Sequence, residues 1–205
     1  MILLTSSFCP SVAFVSLFAA KGGGEVVIEE SERYVKQTLR NRALFMTASG
    51  PQAFTIPVKR YGYPAPPLSE ILISEHGDWR HKLEHMLRSG YGTAPFWEHY
   101  EESLRELIFD ETKRSLAEYN RLWLEWLLKQ WDLPLPLGRE EIPGESVRRF
   151  ESEELAEVPL GRYWQVFEGR EGFKSGLSAL DLLLCEGPYA IGYLRRTGIS
   201  ILRSV

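Results

Sequence analysis

The apolar period of this chain changes once, near Asp78, and that change limits what it can fold into. Before it, apolar residues alternate or come in short runs, so strands are expected over residues 1–4, 25–29, 42–48, 53–59 and 71–74. A helix over 11–20, entered through Pro10 and closed by Lys21 and three glycines, separates the first two. Strand, helix, strand is the smallest crossover unit of a parallel sheet. The runs at 42–48 and 53–59 read as a hairpin turning at Ser49-Gly50-Pro51-Gln52. After Asp78 the spacing lengthens to three and four residues. Helices are expected over 78–89, with Asp78 as N-cap, over 96–108 and over 110–131. The last of these aligns Leu116, Tyr119, Trp123, Trp126 and Leu127 before Pro134 and Pro136 end it. Residues 138–161, rich in Glu and broken by Pro, read as a surface excursion with one strand at 147–150. A strand over 163–167 and a last helix over 177–186, stopped by Gly187-Pro188, complete the expectation. The fold class is α/β: a mixed sheet built by the amino-terminal half, covered by a largely helical carboxyl-terminal half, with α+β as the alternative.

At 205 residues one domain is expected, and six Trp, nine Tyr and ten Phe suffice for its interior. The net charge of −4 gives the whole molecule no electrostatic reason to bind nucleic acid or an anionic membrane. No apolar window reaches the ~18 residues of a spanning helix, and residues 1–20 lack a basic start and are interrupted by Pro10, unlike a secretory signal. Two cysteines, Cys9 and Cys185, cannot form a disulfide framework or a four-thiolate zinc site, so a cytoplasmic location is expected.

The densest polar run is Tyr34 to Arg42, where Lys36, Gln37, Arg40, Asn41 and Arg42 offer three cations and two amides within seven residues. Such donors suit a phosphate or carboxylate. If the backbone is extended there, Arg40, Arg42 and Lys36 share a face. The structural alternative is a basic turn paired with Glu25, Glu29, Glu30 and Glu32. A second constellation holds Gln165, then Ser178 and Asp181 inside a leucine-rich helix, where a carboxylate costs free energy unless it is paired or exposed. His81 and His85, four apart on a helix, could face one metal, but no Glu follows His81 and no third ligand is evident. No metal and no cofactor are expected. Cys9, between a strand and a helix, sits where the helix dipole would favour a thiolate, although a small buried hydrophobe is the expected role. Walker, Gly-x-Gly-x-x-Gly, Gly-x-Ser-x-Gly and Asp-x-Asp patterns are all absent.

These segments together carry a resemblance. The opening with Pro10 after a strand, Tyr34-x-Lys36-Gln37-Thr38-x-Arg40-Asn41-Arg42, Ile56-Pro57-Val58, Trp79 followed by Tyr91-Gly92-x-x-Pro95-Phe96, Gln165-Val166-Phe167, and Leu177-Ser178-x-Leu180-Asp181-Leu182-Leu183 resemble, in order, the WbqC-like family of bacterial surface-polysaccharide (O-antigen) gene clusters. Phe8-Cys9-Pro10 departs from the family's aromatic, proline-rich entry, and residues 138–161 match it weakly. The resemblance implies a group-transfer enzyme of surface-glycan assembly. Its expected partner is a small anionic donor or substrate: a nucleotide sugar, an acyl donor or a carboxylate. Lys36, Gln37, Arg40, Asn41, Arg42, Gln165 and Ser178 are then expected to bind it in one cleft, with Asp181 as base or orienting acid. The alternatives are a non-catalytic anion-binding or scaffold protein of the same pathway and, more weakly, a metal-dependent hydrolase using His81 and His85.

Overall fold

Leu4 and Thr5 are completely buried because β1 (Ile2–Thr5) has partners along both edges. A computed structural model describes residues 1–21, 26–112, 114–136 and 147–204. β2 (Val26–Glu29) and β5 (Arg148–Phe150) both run parallel to β1, giving the strand order β2-β1-β5. The crossover between β1 and β2 is α1 (Val12–Lys21), in which every residue from Val12 to Ala19 is buried. A helix apolar on all sides has to be enclosed on all sides. The sheet, α5 (Ser152–Glu157), α7 (Ala179–Glu186) and α8 (Ile191–Ser204) supply that enclosure.

A separate antiparallel pair, β3 (Arg42–Thr47) and β4 (Gly50–Thr55), lies against α2 (Trp79–Tyr91). The hairpin turns on Ala48 and Ser49, not on 49–52, because Thr47 Oγ1 donates to the Gly50 carbonyl (2.7 Å) and accepts the Ser49 N–H (3.2 Å). Pro51 therefore stands inside β4, which has no further strand partner among the described residues and tolerates a missing donor. The segment 71–74 forms only single bridges, Leu72 to Ser115 and Ile73 to Val58.

The helical half follows the change of period, with corrections. α3 (Trp97–Ile108) stands as expected. α4 (Leu116–Gln130) begins six residues later than expected, because Ser115 and Glu118 form a reciprocal capping box and Asp110 holds the Thr112 N–H and hydroxyl in a turn. No strand forms over 163–167. There the Gln165 side chain bonds both the N–H and the carbonyl of Lys174 (2.9 Å each), taking the place of a backbone ladder. A short α6 (Glu168–Glu171) follows. The expected surface excursion contains β5 and α5, while residues 138–146 lie outside the described residues. The helix at 177–186 is not the last: past a 3-10 turn at Gly187–Ala190, α8 buries Leu194, Gly198 and Ile201 against α1.

α8 approaches α1 so closely that a Cβ at Gly198 would run into the Ser16 carbonyl. Gly198→Ala gains helix propensity but forces the two helices apart. The expected net cost is about 2 kcal/mol, a fall in melting temperature of roughly 4–8 °C; an unchanged melting curve would show that the contact has room to relax.

Candidate functional site

The carboxyl ends of β1, β2 and β5 meet one charged network. Arg40, with its side chain 6% exposed, donates through Nε and Nη2 to both carboxylate oxygens of Glu32 (2.9 Å each). It also lies 3.5 Å from Glu151 and 3.9 Å from Glu153, at the start of α5. Arg149 closes the ring by donating to Glu32 and to Glu151 (2.9 Å each). The Arg40 carbonyl accepts from Asn120 Nδ2 (2.7 Å), which also donates to Ser6 Oγ (3.1 Å) beyond the end of β1. A bidentate pair of Arg121 with Glu30 (2.8 and 3.0 Å) stands beside it at the end of β2. The segment 34–42 crosses this edge fastened by the Phe8 N–H on the Leu39 carbonyl (2.9 Å) and the Leu39 N–H on Glu153 (2.8 Å).

The five residues of the polar run therefore part company. The backbone turns at Lys36 and Gln37 instead of extending, and Gln37 takes φ of +61°. Lys36 and Gln37 are exposed, with Lys36 Nζ 5.2 Å from the Tyr61 ring centre. Arg40 is engaged by glutamates. Asn41 is buried and exchanges hydrogen bonds with Ile56, while Arg42, half-buried on β3, donates to Thr55 Oγ1 (3.1 Å).

Asp181 is fully buried on the first turn of α7. Its Oδ2 accepts from the Tyr163 hydroxyl (2.6 Å) and from Gln165 Nε2 (3.0 Å). Oδ1 is buried without a partner among the described residues. Burial raises its pKa to about 6, against the lowering effect of the neighbouring Tyr163, Gln165 and Tyr91 side chains. Ser178 is the N-cap of α7, its Oγ accepting the Leu180 N–H (3.1 Å) and lying 2.9 Å from Cys9 Sγ. The Cys9 thiol is buried and pushed up to about 12, so burial overrides the helix dipole and the small-hydrophobe role holds. The structure thus joins Asp181 to Gln165 and joins Ser178 to Cys9. The side chains bonded to Asp181 and those bonded to Arg40 have no residue in common.

His81 Nδ1 meets Asp78 Oδ1 at 2.6 Å, and Asp78 occupies the N-cap position of α2 with φ of +51° and no side-chain capping bond. Among the described residues no group of three His, Cys, Asp or Glu could hold a metal ion, and no helix is long and apolar enough to cross a membrane. Sequence reasoning missed Arg149, Glu151, Glu153 and Asn120 at the sheet edge and Tyr163 beside Asp181. Apart from the local pair of Arg149 with Glu151, they reach their partners through tertiary contact; the one local signal was the run of acids after Arg148-Arg149.

The model of the WbqC-like protein family matches residues 6–150, a span that contains Arg40, Glu32, Asn120 and Arg149 and ends before Glu151, Glu153, Gln165, Ser178 and Asp181. No curated protein and no solved structure matches the chain.

Two outcomes follow from this geometry. Arg40→Ala leaves Glu32, 12% exposed, with Arg149 as its remaining cation, and should cost about 3 kcal/mol. Glu32→Gln in the same chain should recover part of that loss, whereas additive losses in the double mutant would mean the two side chains do not act as a pair. For Asp181 the sign is opposite to that of a salt-bridged acid. Its folded pKa lies above its unfolded value of 3.8, so the folded state holds the proton longer. The stability it contributes is complete below pH 3.8 and is lost as pH rises through about 6, an effect on the order of 2–3 kcal/mol. Asp181→Asn should remove that slope in melting experiments between pH 4 and 8; an identical slope in the variant would assign it to other groups.

Proposed function

This chain belongs to the WbqC-like protein family, and we propose that it is a group-transfer enzyme of bacterial surface-polysaccharide assembly, acting on a small anionic donor bound at the carboxyl edge of its parallel sheet. The observation that carries this reading is the strand order β2-β1-β5. The chain leaves β1 towards β2 on one side and returns as β5 on the other, which makes the gap outside β1 and β5 a topological switch point. Ligands of open α/β sheets bind in such crevices. The Lys36–Gln37 turn sits over this edge, held by Leu39 to Phe8 and Glu153. In this reading Lys36 and Gln37 meet the donor's phosphate or carboxylate, while Arg40 and Asn41 hold the turn in place. Asp181, with no exposed atoms, suits the role of an orienting acid better than that of a base in contact with substrate. A non-catalytic anion-binding or scaffold role is the second reading. It draws on one observation, the engagement of Arg40 by three glutamates.

The test is a thermal-shift screen of nucleotide sugars, acyl-coenzyme A thioesters and amino acids. A ligand at ~100 times its Kd stabilises by about 2.7 kcal/mol, a rise of roughly 5–11 °C. The rise should shrink by at least half in Lys36→Glu with Gln37→Ala, two exposed substitutions of little structural cost. Mass spectrometry of donor and added glycan acceptor then separates the readings: consumption of the donor supports transfer, binding without turnover supports the scaffold. A donor-induced rise unaffected by the two substitutions would remove the site from this edge.

A further inference from the structure

A cavity of about 560 Å³ opens between the start of α2, the segment after β4 and the approach to α4, away from the edge of the parallel sheet. Its size is that of a small-molecule site. Cations reach it from three parts of the chain: Lys59 beyond β4, Arg114 before α4 and Arg80 on α2. Arg80 is committed, holding Glu75 through two hydrogen bonds (3.1 and 3.2 Å) and lying 4.4 Å from the Trp79 ring centre. The exposed side chains of Lys59 and Arg114 have no hydrogen bond or ion pair to a described residue. Three further features favour an anion here. The N-terminus of α2, a helix of 13 residues, lines the cavity, and no side-chain capping bond reaches its first N–H groups. Trp79, 4% exposed and part of the wall, has its indole N–H buried without a partner among the described residues. Asp78 accepts from His81 Nδ1, which leaves Nε2 of the exposed imidazole for a ligand. Glu111, the one opposing carboxylate on the wall besides Glu75 and Asp78, sets a limit on how much negative charge the cavity accepts.

We propose that this cavity is a binding site for a phosphate-bearing small molecule, separate from the donor site at the sheet edge. Lys59 and Arg114 hold the phosphate, the Trp79 indole N–H donates to it, and His81 Nε2 faces a phosphate hydroxyl. Donors converging from several directions match a tetrahedral oxyanion better than a planar carboxylate, which a single two-donor fork satisfies.

The experiment is a titration of the ¹⁵N-labelled full chain with inorganic pyrophosphate, with inorganic phosphate and with acetate in parallel arms. The Trp79 indole resonance is assigned by its disappearance in Trp79→Phe. The expected result is a saturable shift of that resonance with pyrophosphate and phosphate. The apparent Kd should weaken at least tenfold in Lys59→Ala with Arg114→Ala and stay within twofold in Lys129→Ala, a cation outside the cavity. Because Lys59 and Arg114 are exposed, the double variant should keep its melting temperature, so a lost shift reports binding and not unfolding. The proposal is overturned if the Trp79 resonance stays still in every arm, if its shift survives in the double variant, or if acetate moves it at the same concentrations as pyrophosphate, which would mark a carboxylate site. The readout is local to Trp79, so its failure leaves the sheet-edge reading untouched and the failure of that reading leaves this one standing.

Discussion

β1 can exist as a four-residue strand only because both of its edges are paired, and most of the architecture follows from that. A parallel neighbour cannot be reached by a tight turn, so each pairing requires a crossover segment. α1 supplies the first, and everything from β2 to the end of α4 lies within the second. The demand on the crossover helix is severe. Placed between the sheet and α5, α7 and α8, α1 has to be apolar on every face, and its sequence, Val12-Ala13-Phe14-Val15-Ser16-Leu17-Phe18, offers one hydroxyl, which bonds back to the Val12 carbonyl (2.7 Å). α8 then meets α1 through Gly198, because no side chain fits at the crossing.

Arg40 and Asp181, two of the buried charged side chains, are handled in opposite ways. Arg40 keeps its charge by gathering three carboxylates, two of which are more than a third exposed and remain solvated. The arrangement stabilises the junction of the sheet edge with α5 without requiring three desolvated anions. Asp181 has no cation in its hydrogen-bonded surroundings, which consist of phenol and amide donors. Neutral donors offset only part of the desolvation of a carboxylate, so the proton is held to higher pH. One group is a fixed charge at the edge of the parallel sheet; the other changes charge near neutrality inside the core.

The division between strand-forming and helix-forming halves was legible because burial imposes it directly on apolar spacing. So was the parallel crossover, since the strands at Ile2 and Val26 flank a helix too apolar to lie on a surface. Less was legible where a side chain replaces backbone. Gln165 reads as part of a strand in Tyr163 to Phe167, yet its amide supplies the pairing with Lys174 itself. α8 was missed although Leu194, Gly198 and Ile201 stand at spacings of four and three on one face, because Gly187-Pro188 ended the preceding helix convincingly. In the polar run, composition identified Arg40 but not its occupants. Glu151 and Glu153 lie more than a hundred residues away and reach it only because β5 pairs with β1.

The first loop connects what sequence reasoning had joined in one cleft. On one side of it the Phe8 N–H bonds the Leu39 carbonyl, next to Arg40 (2.9 Å). On the other, the Pro10 carbonyl accepts the Ala179 N–H (2.7 Å), Val12 donates to Leu177, and Cys9 Sγ lies against Ser178 Oγ, so the loop holds the N-cap of the helix that carries Asp181 and the residue on either side of it. Ser178 in turn donates its N–H to Leu44 on β3, two residues beyond Arg42. Cys9 bridges these attachments with φ of +40°, a conformation that costs a non-glycine residue on the order of 1 kcal/mol and persists only where its surroundings over-determine it. Six residues between β1 and α1 thus fix both the exposed Lys36–Gln37 turn and the buried Asp181 network. Displacing that loop, by a ligand at the sheet edge or by a bulkier residue at Cys9, would be felt at both places through backbone hydrogen bonds, with no direct contact between Arg40 and Asp181 needed.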